Sequence, residues 1–339
     1  MQQALIEKIR AIVGPEHVLT DVDLSPYVLE GRTPEVAVFP GSVEEVSELL
    51  ALASDAEISV VPWGGGTKIE MGAPPTGLGL VLGIRRLARL LEHEPGDLTA
   101  TVEVGMTLEA LQEQLGQQGQ WLSLDPPFSE RATIGGILAA NASGPRRHLY
   151  GTARDLLIGI TVVASDGSVV RGGGKVVKNV AGYDLPKLYI GSFGTLGVIV
   201  QATFKLRPLP DDDRLFLARF DRVKECGLAL RMLMASDLIP SAVELLDAEA
   251  LRAVGLIGGA SAGGALAVGF DGLAEQVEWQ CEEARRLFST CGLVGHRVLA
   301  GAEREAAWCA VRELQGGAIA EPLARMKFGV LPMQVAEVI

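Results

Sequence analysis

Residues 61–68 read VPWGGGTK, three glycines ahead of a hydroxyl and an ammonium. Successive N–H groups in such a loop form a concave nest for anionic oxygens, and no Cβ stands in the way. Gly64, Gly65 and Gly66 would supply the bare main chain, and Thr67 and Lys68 a hydroxyl and a positive charge. Two familiar phosphate motifs do not fit. A P-loop requires GxxxxGK[ST], and the GxGxxG dinucleotide turn must open a helix, which Gly72, Pro74 and Pro75 forbid here. Taken alone, the triplet reads equally well as a tight turn with no ligand.

A second stretch is as poor in side chains. TIGGILAANASG (133–144) carries no charge and few large groups. It leaves either a flat lane beside the backbone for a large planar or extended ligand, or a close helix–sheet contact. Nearby lie Arg146, Arg147 and His148. The arginines suit a substrate carboxylate, a partner subunit or solvent equally, and the histidine a ring-side role or a surface position. Lys178, in KVVKN (175–179), could balance charge or lie on the surface. Cys226, Cys281, Cys291 and Cys309 form no CxxC pair, which argues against a zinc site, an iron–sulfur cluster or a disulfide scaffold. They read as buried, inert thiols.

The elements that must position these residues alternate between strand and helix. Leu5, Ile6, Ile9 and Val13 share one face of an N-terminal helix. EVAVF (35–39) is a strand; Ser42 and Glu45 make a capping box for a helix to about Asp55. ISVV (58–61) delivers the chain into the triple glycine, and GLVLG and LTATVEV follow as strands. Thr107 opens a helix with Leu108, Leu111 and Leu115 in one stripe. Residues 155–173 read as a hairpin turned by Asp166 and Gly167, and 195–208 as one long strand ended by the proline and aspartate cluster at 208–213. Beyond it, two strand–helix–strand units in tandem suggest a ferredoxin-like antiparallel sheet with its helices on one face.

The bulk numbers agree with a two-domain globular chain. There are 339 residues, 48% hydrophobic, 41 of them glycine. A net charge of −12 argues against a nucleic-acid partner. Charged residues interrupt the apolar pattern of the first thirteen residues, and glycines crowd the uncharged run 253–270, so neither a signal peptide nor a spanning helix is read.

Read in order, PWGGGTK, DPP, TIGGILAANASGP and YGTARDLLIGITVVASDGSVVRGGGKVVKNVAGYDLPKLYIGSFGTLGVIVQATFKL resemble the FAD-binding domain of the vanillyl-alcohol oxidase (PCMH) type. They are most similar to glycolate oxidase FAD-binding subunits, in particular the shorter accessory flavin subunit, and to D-2-hydroxyacid dehydrogenases. The likeness runs from about Thr33 to Pro208. It implies an α+β fold: a two-lobed FAD-binding domain over 1–210, with lobes at about 30–105 and 106–210, then a ferredoxin-like α+β cap domain over 211–339. The cap resembles the family only in its element pattern.

By that resemblance, Pro62, Trp63, Gly64, Gly65, Gly66 and Thr67 hold the FAD pyrophosphate by main-chain N–H groups. Asp125, Pro126, Thr133, Ile134, Gly135 and Gly136 line the flavin and ribityl side. Ala139, Asn141, Ser143 and Gly144 continue the lane and Gly151 closes it, while Gly197 and Ile199 touch the cofactor by main chain from its other flank. With neither histidine nor cysteine in 61–68, where some relatives attach the flavin, the FAD is non-covalent. Gly65→Val would then release it by blocking the diphosphate.

The sequence departs from the family in two places. GSFG (191–194) carries Phe193 where GSEG is common, and no histidine-rich GDGN stretch follows, His296 being the sole histidine after residue 148. The closing segment reads as short or missing. Catalytic residues stay unassigned, and three functions stay open. One is an FAD subunit of a glycolate oxidase complex, working beside a sister FAD subunit and an iron–sulfur subunit on a small 2-hydroxyacid. The second is a stand-alone FAD-dependent 2-hydroxyacid dehydrogenase, and the third a catalytically silent flavin scaffold. Metal is not implied, and the location is read as cytoplasmic, with peripheral membrane association through partners.

Overall fold

A computed structural model describes residues 3–174, 183–256, 263–314, 330–331 and 334–335; Lys178, KVVKN and most of the C-terminal closing stretch lie outside them. The chain divides into two compact units, Met1–Ala142 with Thr152–Pro208, and Ser143–Gly151 with Leu209–Ile339.

The first unit holds two sheets. In one, the strands Val18–Leu19, Val36–Val38, Leu80–Gly83 and Val60–Trp63 lie in that order. The last three run parallel, because the Val43–Asp55 helix carries the chain back between Val36–Val38 and Val60–Trp63. Ser42 caps that helix, its Oγ accepting from Glu45 N at 3.1 Å. The reciprocal bond of the capping box slips by one residue: the Glu45 carboxylate accepts from Gly41 N at 2.7 Å. Val46, Leu49, Leu50 and Ala53 face the core, as do Ile9 and Val13 of the N-terminal Gln3–Val13 helix.

The other sheet is antiparallel: Leu90–Glu94, Thr99–Glu103, Val198–Lys205, Leu157–Val163 and Val169–Gly173. Three boundaries differ from the sequence reading. The strand before the triple glycine starts two residues late, at Val60. The long final strand begins only at Val198, since Gly197 holds φ +146°, and a separate pair, Arg207–Pro208, bonds to Gln120–Trp121. At the turn of the 157–173 hairpin Gly167, and not Asp166, takes a positive φ, +84°; Asp166 uses its carboxylate to accept from Ser168 N instead.

The second unit carries a four-stranded antiparallel sheet in the order Ala242–Asp247, Gly264–Gly272, Asp212–Phe220, Leu293–Ala300, the ferredoxin-like arrangement. Asp212 and Asp213 open its central strand and do not end the preceding one. Its helices also differ from expectation, lying on both faces. Phe216, Ala218 and Phe220 pack with the Val223–Met234 and Ala274–Ser289 helices. Leu215 and Leu217 pack with Leu251, Ala307, Trp308 and Val311 of the Ala248–Ala253 and Gly301–Leu314 helices. Apolar residues on both sides of the central strand demand two covers, a pattern visible in RLFLARF.

Cys226, Cys281 and Cys291 are buried free thiols, and Cys309 is only half-buried. Burial pushes Cys226 up to about 12 and Cys281 up to about 11, so both stay protonated and unreactive at neutral pH. No helix among the described residues is long and apolar enough to cross a membrane.

Phe216 is fully buried, with its ring 5.9 Å from Phe288 and stacked on His296 at 5.1 Å. Phe216→Ala is expected to cost about 3–5 kcal/mol in denaturant unfolding, and His296→Ala far less, the imidazole being a lid on an exposed strand.

Candidate cofactor site

The glycine loop and the start of the second stretch come together inside the first unit. A Cβ on Gly64 would lie 2.2 Å from Thr133 Oγ1, and one on Gly65 only 1.9 Å from the Arg131 carbonyl oxygen. Gly66 takes φ +73° and tucks against the Trp63 indole. The glycines are therefore required first by the neighbouring chain. Steric proof of a ligand cannot rest on them, and Gly65→Val would break the protein's own packing before it blocked a diphosphate.

What the contact leaves over is the signal for a ligand. Among the described residues, the N–H groups of Gly64, Gly65, Gly66 and Thr67 donate to no backbone acceptor; the turn's bonds run instead from Ile69 N to Gly66 O and from Met71 N to Lys68 O. Four adjacent N–H groups in a half-buried loop are an anion cradle. Pro62 has no N–H to contribute, and its carbonyl-bearing neighbour Trp63 accepts from Ile84 N.

The stretch 133–144 is not an extended lane but a helix, Ile134–Ala140. Thr133 caps it, its Oγ1 accepting from Gly136 N at 3.3 Å. Ile134 N and Gly135 N bond to Met106 O and Val104 O, so neither N–H is open to a cofactor. Ile134, Gly135, Ile137 and Leu138 are buried, and a Cβ at Gly135 would strike Val104 and Ile84: here the close helix–sheet contact is the correct reading. The opposite face, Gly136, Ala139 and Ala140, remains accessible, a flat strip of three small residues at helical spacing. Asn141 ends the helix in the left-handed region at φ +46°, with Ala142 N returning to Ile137 O, a Schellman closure. Gly191 N and Phe193 N bond to Leu138 O and Ala139 O, so GSFG serves the end of this helix. Phe193 holds φ +53° and is half exposed.

Asp125 and Pro126 are buried beside the fully buried Leu122 and Ser123. Pro62 and Gly197 line one cavity of about 350 Å³ with Gly194, Thr195, Leu196 and Glu57. Ile199 points into the core at 5% exposure. Ser143, Gly144 and Gly151 fall within the second unit, where Gly151 takes φ +78°.

In that unit Arg146 is not available to a substrate. It pairs with Asp213 and, at 3.6 Å, with Asp271. Arg304 also pairs with Asp213, and Tyr150 donates to Asp271. Burial pushes the Asp213 carboxyl upward against the pull of both guanidiniums. Arg147 and His148 are exposed, and partial burial lowers the His148 pKa. Sequence reasoning missed Tyr27, Phe39, Arg85 and Arg131, which line a second cavity of about 370 Å³ with Trp63, Gly64, Gly65 and Gly66. They are scattered singly along the chain, and no spacing announces them.

Comparison with known proteins identifies this architecture. Residues 34–173 match the model of an FAD binding domain, and residues 209–328 that of the C-terminal domain of FAD linked oxidases. The chain belongs to the FAD-linked oxidases with a PCMH-type FAD-binding fold. The second match extends the cap's resemblance from element pattern to sequence.

Among relatives, glycolate oxidase subunit GlcD of Bacillus subtilis is 35% identical over 221 residues, 65% of this chain and 47% of that one. GlcD of Escherichia coli is 31% identical over 307 residues, 88% and 61%. A D-lactate dehydrogenase of Archaeoglobus fulgidus is 35% identical over 233 residues, 68% and 52%. The chain thus spans about half the length of the curated relatives it matches. Of solved structures, p-cresol methylhydroxylase superposes with TM-score 0.76 at 21% identity, over 94% of this chain and 72% of that one. Alkyldihydroxyacetonephosphate synthase gives 0.77 at 22%, over 93% and 68%. These share the fold.

Two alanine substitutions separate packing from binding. Gly65→Ala meets a backbone oxygen and is expected to lower the thermal midpoint by several degrees, since about 1 kcal/mol moves a domain of this size by 2–4 °C. Gly136→Ala meets only Thr133 Oγ1 at 3.3 Å and should leave the melt within about one degree.

Proposed function

We propose that this chain is the FAD-carrying part of a 2-hydroxyacid oxidoreductase, acting on glycolate or D-lactate, within a glycolate oxidase-type assembly. The observation that carries the reading is the N–H cradle at Gly64, Gly65, Gly66 and Thr67, locked against the cap of the Ile134–Ala140 helix, in a chain whose two halves match the two FAD-linked domains. Gly64, Gly65, Gly66 and Thr67 would hold the FAD diphosphate by their N–H groups, and Pro62 and Gly197, which line one cavity, would receive the adenosine end. Gly136, Ala139, Asn141, Asp125 and Pro126 of the first unit would line the flavin side; Ser143, Gly144 and Gly151 stand as cofactor candidates on the family resemblance alone. Gly135, Ile134 and Ile199 support this lane from beneath and do not touch the cofactor by side chain.

When bound, the flavin supplies a two-electron acceptor for the hydride of the substrate α-carbon. The chain's own residues bind and orient it. The glycine loop gives donors without side chains, and the small helix face a planar seat. Residues 61–68 hold no histidine or cysteine, so attachment is non-covalent, and the flavin should stay in the supernatant when the protein is precipitated with acid.

The likeness to glycolate oxidase subunits supports a sister FAD subunit and an iron–sulfur subunit as the partners that would take the electrons onward. The test is anaerobic titration of the FAD-loaded protein with glycolate and D-lactate. The reading predicts loss of the visible flavin absorbance with one of them, alone or on adding partner subunits. A flavin that neither acid reduces in the assembled complex contradicts it.

A further inference from the structure

The cavity of about 370 Å³ sits where the parallel strands Val36–Val38, Leu80–Gly83 and Val60–Trp63 end, its wall including Phe39, Gly83, Trp63 and all three glycines of the loop. The carboxyl ends of parallel strands are where open α/β sheets take their ligands. Two arginines line this cavity, Arg85 and Arg131. Arg85 Nε donates to Gly64 O at 3.2 Å, which fixes that side chain on the rim of the cradle. Arg131 is held by the same contact that requires glycine at 65, its carbonyl lying under that Cα, and its guanidinium rests 6.0 Å from the Phe128 ring.

Neither arginine has a carboxylate within ion-pair distance among the described residues, whereas Arg86 and Arg89 close by pair with Glu45 and Glu103. Glu70 is the one acid on the cavity wall. Two arginines and the three loop glycines, whose N–H groups have no backbone acceptor among the described residues, thus line one space with a single acid on its wall. A planar guanidinium donates two parallel N–H bonds to phosphoryl oxygens, and such charge-assisted bonds are about twice as strong as neutral ones.

We infer that Arg85 and Arg131 are the cationic jaws of the phosphoryl seat above the glycine loop, and that they hold the diphosphate of FAD. This rests on the cofactor reading above and adds the charge that main-chain N–H groups lack. A free phosphate ester would present the same chemistry, so the experiment separates the two sources.

Arg85→Gln, Arg131→Gln and the double variant remove the charge and leave a shorter polar group on exposed side chains, and circular dichroism checks their folding. Dissociation constants for FAD, riboflavin and inorganic pyrophosphate are measured by titration over a salt series. Each single variant should weaken FAD about tenfold and the double variant more than the singles, while riboflavin, which lacks the diphosphate, changes less than twofold. The salt dependence of FAD binding should flatten in the double variant.

An unchanged FAD constant in the folded double variant overturns the inference and leaves the cofactor reading standing. Equal weakening of FAD and riboflavin overturns it too. Loss of pyrophosphate binding with FAD unaffected assigns the arginines to a separate phosphate ligand, against the inference. Wild-type protein that binds no FAD sinks the cofactor reading itself.

Discussion

One contact governs the first unit: the glycine loop at 64–66 pressed onto residues 131–133. The Arg131 carbonyl and the Thr133 hydroxyl occupy the space where side chains at 65 and 64 would begin. That approach has two consequences. It turns the loop's N–H groups away from any main-chain partner among the described residues, which would be costly if they stayed buried and dry. It also brings that row of donors beside Thr133, whose hydroxyl caps a helix with an accessible face of small residues. The donor row and the flat strip are two results of the same packing. Both follow from removing Cβ atoms at two positions.

The second unit rests on a different constraint. Its central strand is apolar on both sides, so the sheet needs helices above and below, and Leu215 and Phe216 begin separate cores. At one end of that sheet, Asp213 and Asp271 hold Arg146 and Tyr150, which keeps the short segment Ser143–Gly151 with this unit although the chain on either side belongs to the first. Buried ion pairs of this kind contribute little net stability, but removing one partner strands the other's charge. Their value here is positional: they decide where nine residues lie.

Much of this was legible in the sequence, and the failures have physical causes. Strand and helix periodicity located most strands, the capped helices and the ferredoxin-like sheet, though not the parallel pairing of the first sheet, because apolar spacing records which face is buried. The run TIGGILAANASG gave no such record. Its residues are too small for a polar face and an apolar face to differ, so a helix with a buried and an open side reads as a featureless lane. For the same reason Gly135 and Gly136 look alike in sequence, yet one fits a helix–sheet contact and the other opens to the surface. In the sequence Arg146 suits substrate, partner or solvent alike and nothing singles out Arg85; Asp213 and Asp271, distant along the chain, neutralise the first, while the second lines a cavity. The glycine triplet was read correctly as a close approach, but the first thing approaching is the protein itself.

The central claim is that the amides of residues 64–67 are donors kept for a diphosphate. Amide hydrogen exchange of these four residues, followed by NMR in the presence of saturating FAD and separately of saturating riboflavin, tests it directly. The account predicts that FAD slows exchange at these positions at least tenfold and that riboflavin leaves them near the ligand-free rate. Full flavin loading with no change in exchange at 64–67 would contradict it.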